Sequence, residues 1–208
     1  MTLDRLRPLA DRALTPFVSA SSRLGVTPNV VSVVAFVLAA GAGGAFYLGG
    51  GGRTGTGDSL WYLVGALFVF LNGWLDLLDG ALARQLGTDS RAGDLLDHVL
   101  DRYADIVMIV GLAAGVDRYP LGLAAVTGVL MTSYLGTQSQ AVGLDRVYGG
   151  LLGRADRLAL IGVIGLYSFV IPAELYGLTA VGWLLAVFAA VGHLTALQRF
   201  VGAFRALS

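Results

Sequence analysis

The sequence contains no cysteine, no lysine and only two histidines. Without cysteine it can form neither disulfides nor thiolate metal sites, so a bound metal has to be held by oxygen or imidazole. Without lysine, all its positive charge rests on 14 arginines, which 14 acidic residues offset to a formal net charge of +0. That balance argues against a nucleic-acid partner. Charge is scarce altogether: 13% of residues are charged, 56% are hydrophobic and the mean hydropathy is +0.73. Such a chain is too apolar for an ordinary soluble domain. A cleavable signal peptide is also missing, because Asp4, Arg5, Arg7, Asp11 and Arg12 interrupt the first 20 residues, and the mature chain is expected to begin at or near Met1. There is no internal repeat and no second domain.

What the sequence does have is long apolar runs. They cover Val30 to Leu48, Leu60 to Leu78, Leu95 to Gly115, Leu121 to Ala141, Leu158 to Ile171 with its flanks, and Leu178 to Ala196. Each is close to the roughly 20 residues that cross hydrocarbon as helix. Ahead of them, Leu3, Leu6, Leu9, Ala10, Leu14, Phe17 and Val18 recur at helical spacing, with Asp4, Arg5, Arg12 and Ser19 on other faces. The expected fold is therefore all-α, an integral membrane bundle of six transmembrane helices preceded by an N-terminal interfacial amphipathic helix. We divide it as residues 1–24 for the interfacial helix and 25–208 for the core, within one domain spanning 1–208. Gly25, Thr27 and Pro28 break the first helix, and the glycine-rich segment from Gly49 to Gly57 reads as a flexible outer loop.

Six spans put both termini on one side of the membrane. Arg5, Arg7, Arg12, Arg23, Arg84, Arg91, Arg102, Arg146, Arg154, Arg157, Arg199 and Arg205 share that side, with Arg53 and Arg118 opposite. By the positive-inside rule the first side is cytoplasmic. The chain is thus expected to be a multi-pass cell-membrane protein with termini and active site facing the cytoplasm.

On that side lies a group of aspartates too dense to be filler. Asp76 and Asp79 are three apart and Asp97 and Asp101 four apart, so on helices each pair projects from one face. An aspartate costs about 2.5–3.5 kcal/mol at mid-membrane on insertion scales, so a positive partner is needed. Oxygen-only ligands favour Mg2+ or Mn2+, and four carboxylates suit a pair of ions. Gly80 leaves backbone open to close approach, and Arg84 can grip a phosphate bidentately. Ser90 offers a hydroxyl, and Gly93 opens the next helix. Metal, guanidinium and glycine together describe a diphosphate site.

The segment Asp76-x-x-Asp79-Gly80-x-x-Ala83-Arg84-(x8)-Gly93-x-x-x-Asp97-x-x-x-Asp101 resembles the signature of the CDP-alcohol phosphatidyltransferases, with eight residues matched over 26 positions. The likeness extends to the interfacial helix, the Thr27-Pro28-Asn29 start of the first span and a basic loop before the fifth. It implies transfer of a phosphatidyl group from a CDP-linked lipid to a small alcohol, releasing CMP. By matching position it implies that Asp76, Asp79, Asp97 and Asp101 ligand metal, with Asp101 also the base that deprotonates the acceptor. It assigns Asn29, Val30, Val31, Ser32, Gly80, Arg84, Ser90 and Gly93 to the CDP-lipid. The donor would be CDP-diacylglycerol, or CDP-archaeol if the source is archaeal, and a homodimer is expected from the family.

For the acceptor, the run from Asp97 to Asp105 resembles the Asp-Arg-x-x-Asp ending of members that use inositol 1-phosphate. Arg154 and Arg157 also stand where those members place arginines. Arg102, Arg154, Arg157 and Gln138 are the candidate acceptor contacts. Tyr134-Leu135-Gly136-Thr137-Gln138 lacks the basic Tyr-x-Lys-x-Arg pattern of such members, which leaves glycerol phosphate and serine open. Asp89 and Asp94 read as solvated or helix-start acids, and Asp105 either extends the acidic face or pairs with Arg102. His98 and His193 read as packing or interfacial residues, and Gly111 and Gly115 as a helix contact. Two other classes compete. A membrane prenyltransferase also uses Asp-rich motifs, but Asn72-x-x-x-Asp76 is followed by Asp79 instead of an acid at position 80. An ion transporter would leave Gly80 and Arg84 without a role.

Overall fold

The computed structural model describes residues 7–88, 90–145 and 150–208. Leu3, Asp4, Arg5, Leu6, Asp89 and Arg146, named above, lie outside the described residues, as do the side chains of residues 7–12. The architecture is helical: α1 (Arg7–Arg23), α2 (Pro28–Gly50), α3 (Leu60–Leu86), α4 (Arg91–Gly115), α5 (Tyr119–Ala141), α6 (Arg154–Val170) and α7 (Ala180–Leu207). The exception to all-α is a two-residue ribbon between α6 and α7, Glu174–Leu175 (β1) paired antiparallel with Leu178–Thr179 (β2). Its two-residue turn has positive φ at both Tyr176 and Gly177, the backbone a tight hairpin demands.

Proline and glycine set the helix boundaries. Pro28 occupies the first turn of α2, where its missing N–H is no loss. Gly51 and Gly87, at φ 74° and 61°, close α2 and α3 in the left-handed conformation. Between helices, glycines permit contact. A Cβ on Gly111 of α4 would collide with the Gly43 backbone of α2, and one on Gly50 with the Gly115 carbonyl. The expected Gly111 and Gly115 contact is thus the seam between α2 and α4, where small residues let backbones approach. Gly128 and Gly192 do the same for α5 and α7, which Thr132 also ties by donating to the Gly192 carbonyl at 2.8 Å.

One apolar core fills the bundle, including Phe46, Met108, Leu112, Ile161, Leu185 and Phe188, all 0–1% exposed. A second joins α1 to α2 and α3 through Leu14, Val18, Val31, Leu78 and Leu82. Phe17 of α1 meets Trp74 of α3 edge-on at 5.6 Å. Large apolar side chains also face outward along the bundle, among them Val37, Leu123 and Leu197. An apolar exterior on an apolar interior is what lipid solvent allows and water does not.

Four helical segments are long and apolar enough to cross a membrane: Pro28–Thr54, Leu60–Leu86, Tyr119–Ala141 and Ala180–Leu207. The other two expected spans fall short for separate reasons. The first half of α4 carries Arg91, Asp94, Asp97, Asp101, Arg102 and Asp105, and α6 has only 17 residues. The helices also overrun the apolar stretches that announced them. α3 continues eight residues past Leu78, and α7 continues eleven past Ala196.

Candidate active site

The site forms where the overrun end of α3 meets the start of α4. Gly87 turns the chain, and Ser90 restarts it as the N-cap of α4, its Oγ accepting the Gly93 N–H at 3.0 Å. Asp76 then faces Asp97 and Asp101, and one oxygen from each of the three lies within 4.8 Å of the others. Asp79 stands slightly apart. It is 6% exposed and accepts a 2.7 Å hydrogen bond from the Ser32 hydroxyl of α2.

Arg154, from the first turn of α6, reaches between the acids. Its guanidinium contacts Asp76 Oδ2 at 2.6 Å and Asp101 Oδ1 at 2.7 Å. It stands just ahead of the apolar stretch that begins at Leu158. Burial works against its charge, yet Asp76, Asp101 and Asp105 outweigh burial and hold the proton more tightly than usual. A fifth acid lies deeper: Asp105, 2% exposed, accepts from Arg157 at 2.7 Å, and Arg102 lies 3.7 Å from the same carboxylate oxygen. Asp105 therefore pairs with Arg157 as well as with Arg102. Arg102 also donates to Ser133 of α5.

Both clusters open on a cavity of about 1490 Å³. Its polar end carries Asp76, Asp79, Asp97, Asp101 and four arginines, Arg102, Arg154, Arg157 and Arg199. Its flank is apolar, lined by Leu67, Phe70, Trp74 and Leu77 of α3 and by Val163 and Leu166 of α6. One pocket thus presents carboxylates, guanidinium groups and a hydrocarbon-like wall. The carboxylate donors fit a hard divalent cation. The Arg154 guanidinium seated between two of them demonstrates that the cluster accepts positive charge.

The residues expected to meet the CDP-lipid form two small groups. An added Cβ on Gly80 would lie 3.4 Å from Arg84 Nη1, so the guanidinium reaches back over that glycine. A Cβ on Gly93 would meet Ser90 Oγ at 3.1 Å and Asn29 Oδ1 at 3.4 Å, which brings these three together. Of this set only Gly80 lines the large cavity. Val30 is exposed, whereas Val31 is 5% exposed and belongs to the core cluster with Leu78 and Leu82. Gln138 stands near the end of α5. It is absent from the cavity lining, although its neighbours Tyr134, Gly136 and Thr137 belong to it. His98 lies on the cavity wall with Nδ1 3.8 Å from Asp94 and 3.7 Å from Asp97, and His193 meets Thr127 Oγ1 at 3.3 Å.

Two residues escaped the sequence reading. Arg199 of α7, counted there only for orientation, lines the polar end and donates to the Thr132 carbonyl at 2.6 Å. No spacing links it to the acidic motif 98 residues earlier. Asn72, one turn before Asp76, is 1% exposed and donates through Nδ2 to the Ala35 carbonyl at 2.8 Å. Its burial in an otherwise apolar run was a legible signal.

A helical membrane protein with carboxylates and arginines at the head of an apolar-walled cavity is built to handle a phosphorylated lipid. The chain belongs to the CDP-alcohol phosphatidyltransferase family, whose model matches residues 25–197, and it is a transferase of phospholipid biosynthesis. It is 34% identical to the phosphatidylinositol phosphate synthase of Streptomyces avermitilis, over 94% of this chain and 79% of that one. It is 27% identical to the archaetidylinositol phosphate synthase of Pyrococcus horikoshii, over 81% and 84%. Among solved structures it resembles the phosphatidylinositol phosphate synthase of Mycobacterium tuberculosis. The form with CDP-DAG bound superposes with a TM-score of 0.76 at 26% identity, covering 93% of this chain and 94% of that one. The form with manganese and citrate gives 0.77 at 26% identity, covering 92% and 88%.

Proposed function

We propose that the chain transfers a phosphatidyl or archaetidyl group from CDP-diacylglycerol or CDP-archaeol to the hydroxyl of inositol 1-phosphate, releasing CMP. The observation that carries this reading is the cavity's polar end, where four carboxylates and four arginines meet beneath an apolar wall. Carboxylates suit the metal-bound diphosphate of the donor, the wall suits its tails, and the guanidinium groups suit an acceptor that brings its own phosphate. The relatives' names, all synthases of inositol phosphate lipids, support the same acceptor. The missing basic residues of α5 are offset by Arg199, which approaches the same end from α7.

In this reading Asp101 takes the proton from the acceptor hydroxyl. The freed oxygen bonds to the lipid-linked phosphorus, and the anhydride bond breaks with its electron pair leaving on CMP. Two divalent ions, Mg2+ or Mn2+, held by Asp76, Asp79, Asp97 and Asp101, would neutralise the diphosphate and stabilise the departing CMP. Ser32 fixes the rotamer of Asp79 by its hydrogen bond. Asn29, Gly80, Arg84, Ser90 and Gly93 cradle the nucleotide and its phosphates. Arg102, Arg154, Arg157 and Arg199 orient the acceptor phosphate, with Ser133 holding Arg102.

The same proposal includes a single domain with six spans, α2 to α7. The charged first turns of α4 and α6 stand at the cytoplasmic face, and α1 lies in the interface. Arginine asymmetry supports that orientation. A homodimer is carried over from the family alone.

The test is product identification. Purified protein given CDP-diacylglycerol is offered inositol 1-phosphate, glycerol 3-phosphate, serine or free inositol, and the lipid product is read by mass spectrometry. Phosphatidylinositol phosphate is expected. A product formed only from serine or free inositol would overturn the acceptor assignment.

A further inference from the structure

Behind the carboxylates lies a second, much smaller cavity of about 10 Å³, the room that one water takes. Its polar lining comes from Ser32, Asn72 and Arg154 and from all four carboxylates, Asp76, Asp79, Asp97 and Asp101. Two polar atoms of these residues are buried without a hydrogen-bond partner, Asn72 Oδ1 and Arg154 Nε. The orientation of the Asn72 amide follows from its neighbour: the Ala35 carbonyl can only accept, so Nδ2 must face it and Oδ1 is what remains. Likewise Nη1 and Nη2 of Arg154 are committed to Asp76 and Asp101, which leaves Nε–H.

An orphan acceptor and an orphan donor on one cavity call for a molecule that both donates and accepts. Ionised carboxylates cannot serve, because they only accept. Leaving each atom unsatisfied would cost about 1–3 kcal/mol.

We propose that the cavity holds one ordered water, which accepts from Arg154 Nε–H, donates one hydrogen to Asn72 Oδ1 and gives the other to a carboxylate of the cluster. Asn72 is then a positioning residue of the metal centre, although it belongs to none of the acidic motif. Through the water it fixes the orientation of Arg154 and of the adjoining carboxylate. The inference rests on the reading of the carboxylates as a metal site only for its solution readout.

The test compares two substitutions that both remove the Nδ2 bond to Ala35. Asn72→Leu deletes the acceptor oxygen, while Asn72→Asp retains one. Mn2+ is titrated into the full-length protein in detergent and followed by electron paramagnetic resonance, with thermal unfolding measured in parallel. Asn72→Leu should weaken Mn2+ binding about ten- to a hundredfold, the usual effect of losing an outer-shell partner. Asn72→Asp should stay within about tenfold of the parent or bind more tightly. Equal losses in both variants would assign Asn72 to the Ala35 tie alone and overturn the proposal, as would unchanged affinity in Asn72→Leu. Failure of the parent protein to bind Mn2+ would instead remove the metal reading. Should Asn72→Leu not fold, a solved structure of the parent protein decides: a water within hydrogen-bond distance of Asn72 Oδ1 supports the proposal, and a dry cavity contradicts it.

Discussion

Arg154 and Asp101 share a hydrogen bond and divide the electrostatic work of the site. Asp101 borders the cavity beside Asp97 and Asp76, and the proposed mechanism makes it the base. General bases contribute about 10²–10⁴-fold, so Asp101→Asn should lower turnover by that range while CDP-lipid binding persists. CMP release measured beside a lipid-binding assay checks this, and normal release would remove the role. Arg154→Ala leaves Asp76 and Asp101 without their cation, a loss of about 3 kcal/mol for a partly buried pair. The variant should melt lower than the parent, and Mn2+ should raise its melting temperature by more than it raises the parent's. Equal Mn2+ shifts in the two proteins would show that Arg154 and the ion do not share the same carboxylates. The aspartates were legible in the sequence because their spacing is helical. Arg199 and the Arg157–Asp105 pair were not, because pairing across 52 residues follows from packing and leaves no local period.

At the scale of elements, the hydropathy pattern located every long helix but misjudged where helices stop. α3 runs on through Asp79 and Arg84, and α4 begins at Arg91, ahead of the apolar run from Leu95. Helical hydrogen bonds do not require apolar side chains, so the charged turns continue the helices and carry the site beyond the apolar stretches. The glycine seam was only partly visible. Gly111 and Gly115 announced a contact surface, but the partner glycines Gly43 and Gly50 lie in α2, within a glycine-rich run that offered no choice among them. That seam should be intolerant of volume. Gly111→Ala must push α4 from α2 and should cost about 1–3 kcal/mol, read as a lower melting temperature in detergent. Gly44→Ala serves as its control, since no atom lies within 4 Å of the added Cβ.

For the whole molecule, the absence of cysteine becomes an experimental asset. Single cysteines at Thr56, between α2 and α3, and at Thr88, between α3 and α4, report topology without background. An impermeant maleimide should label Thr56→Cys in intact cells, and Thr88→Cys only after permeabilisation. The reverse pattern would invert the orientation and move the site to the outer face. Length and hydropathy reached the class of fold, and the acidic motif reached the class of reaction. The arginines and Ser133 at the cavity's polar end come from α4, α5, α6 and α7, so no contiguous segment of sequence describes that end.

The account stands on Asp76, Asp97 and Asp101 acting together on a metal-bound diphosphate. The most direct measurement is CMP release from CDP-diacylglycerol and inositol 1-phosphate, first with EDTA and then with Mn2+ or Mg2+ restored, for the parent protein and for Asp97→Asn. The account predicts no release in EDTA, recovery with either ion in the parent, and no recovery in Asp97→Asn. Release that survives EDTA, or full activity in Asp97→Asn, would contradict it.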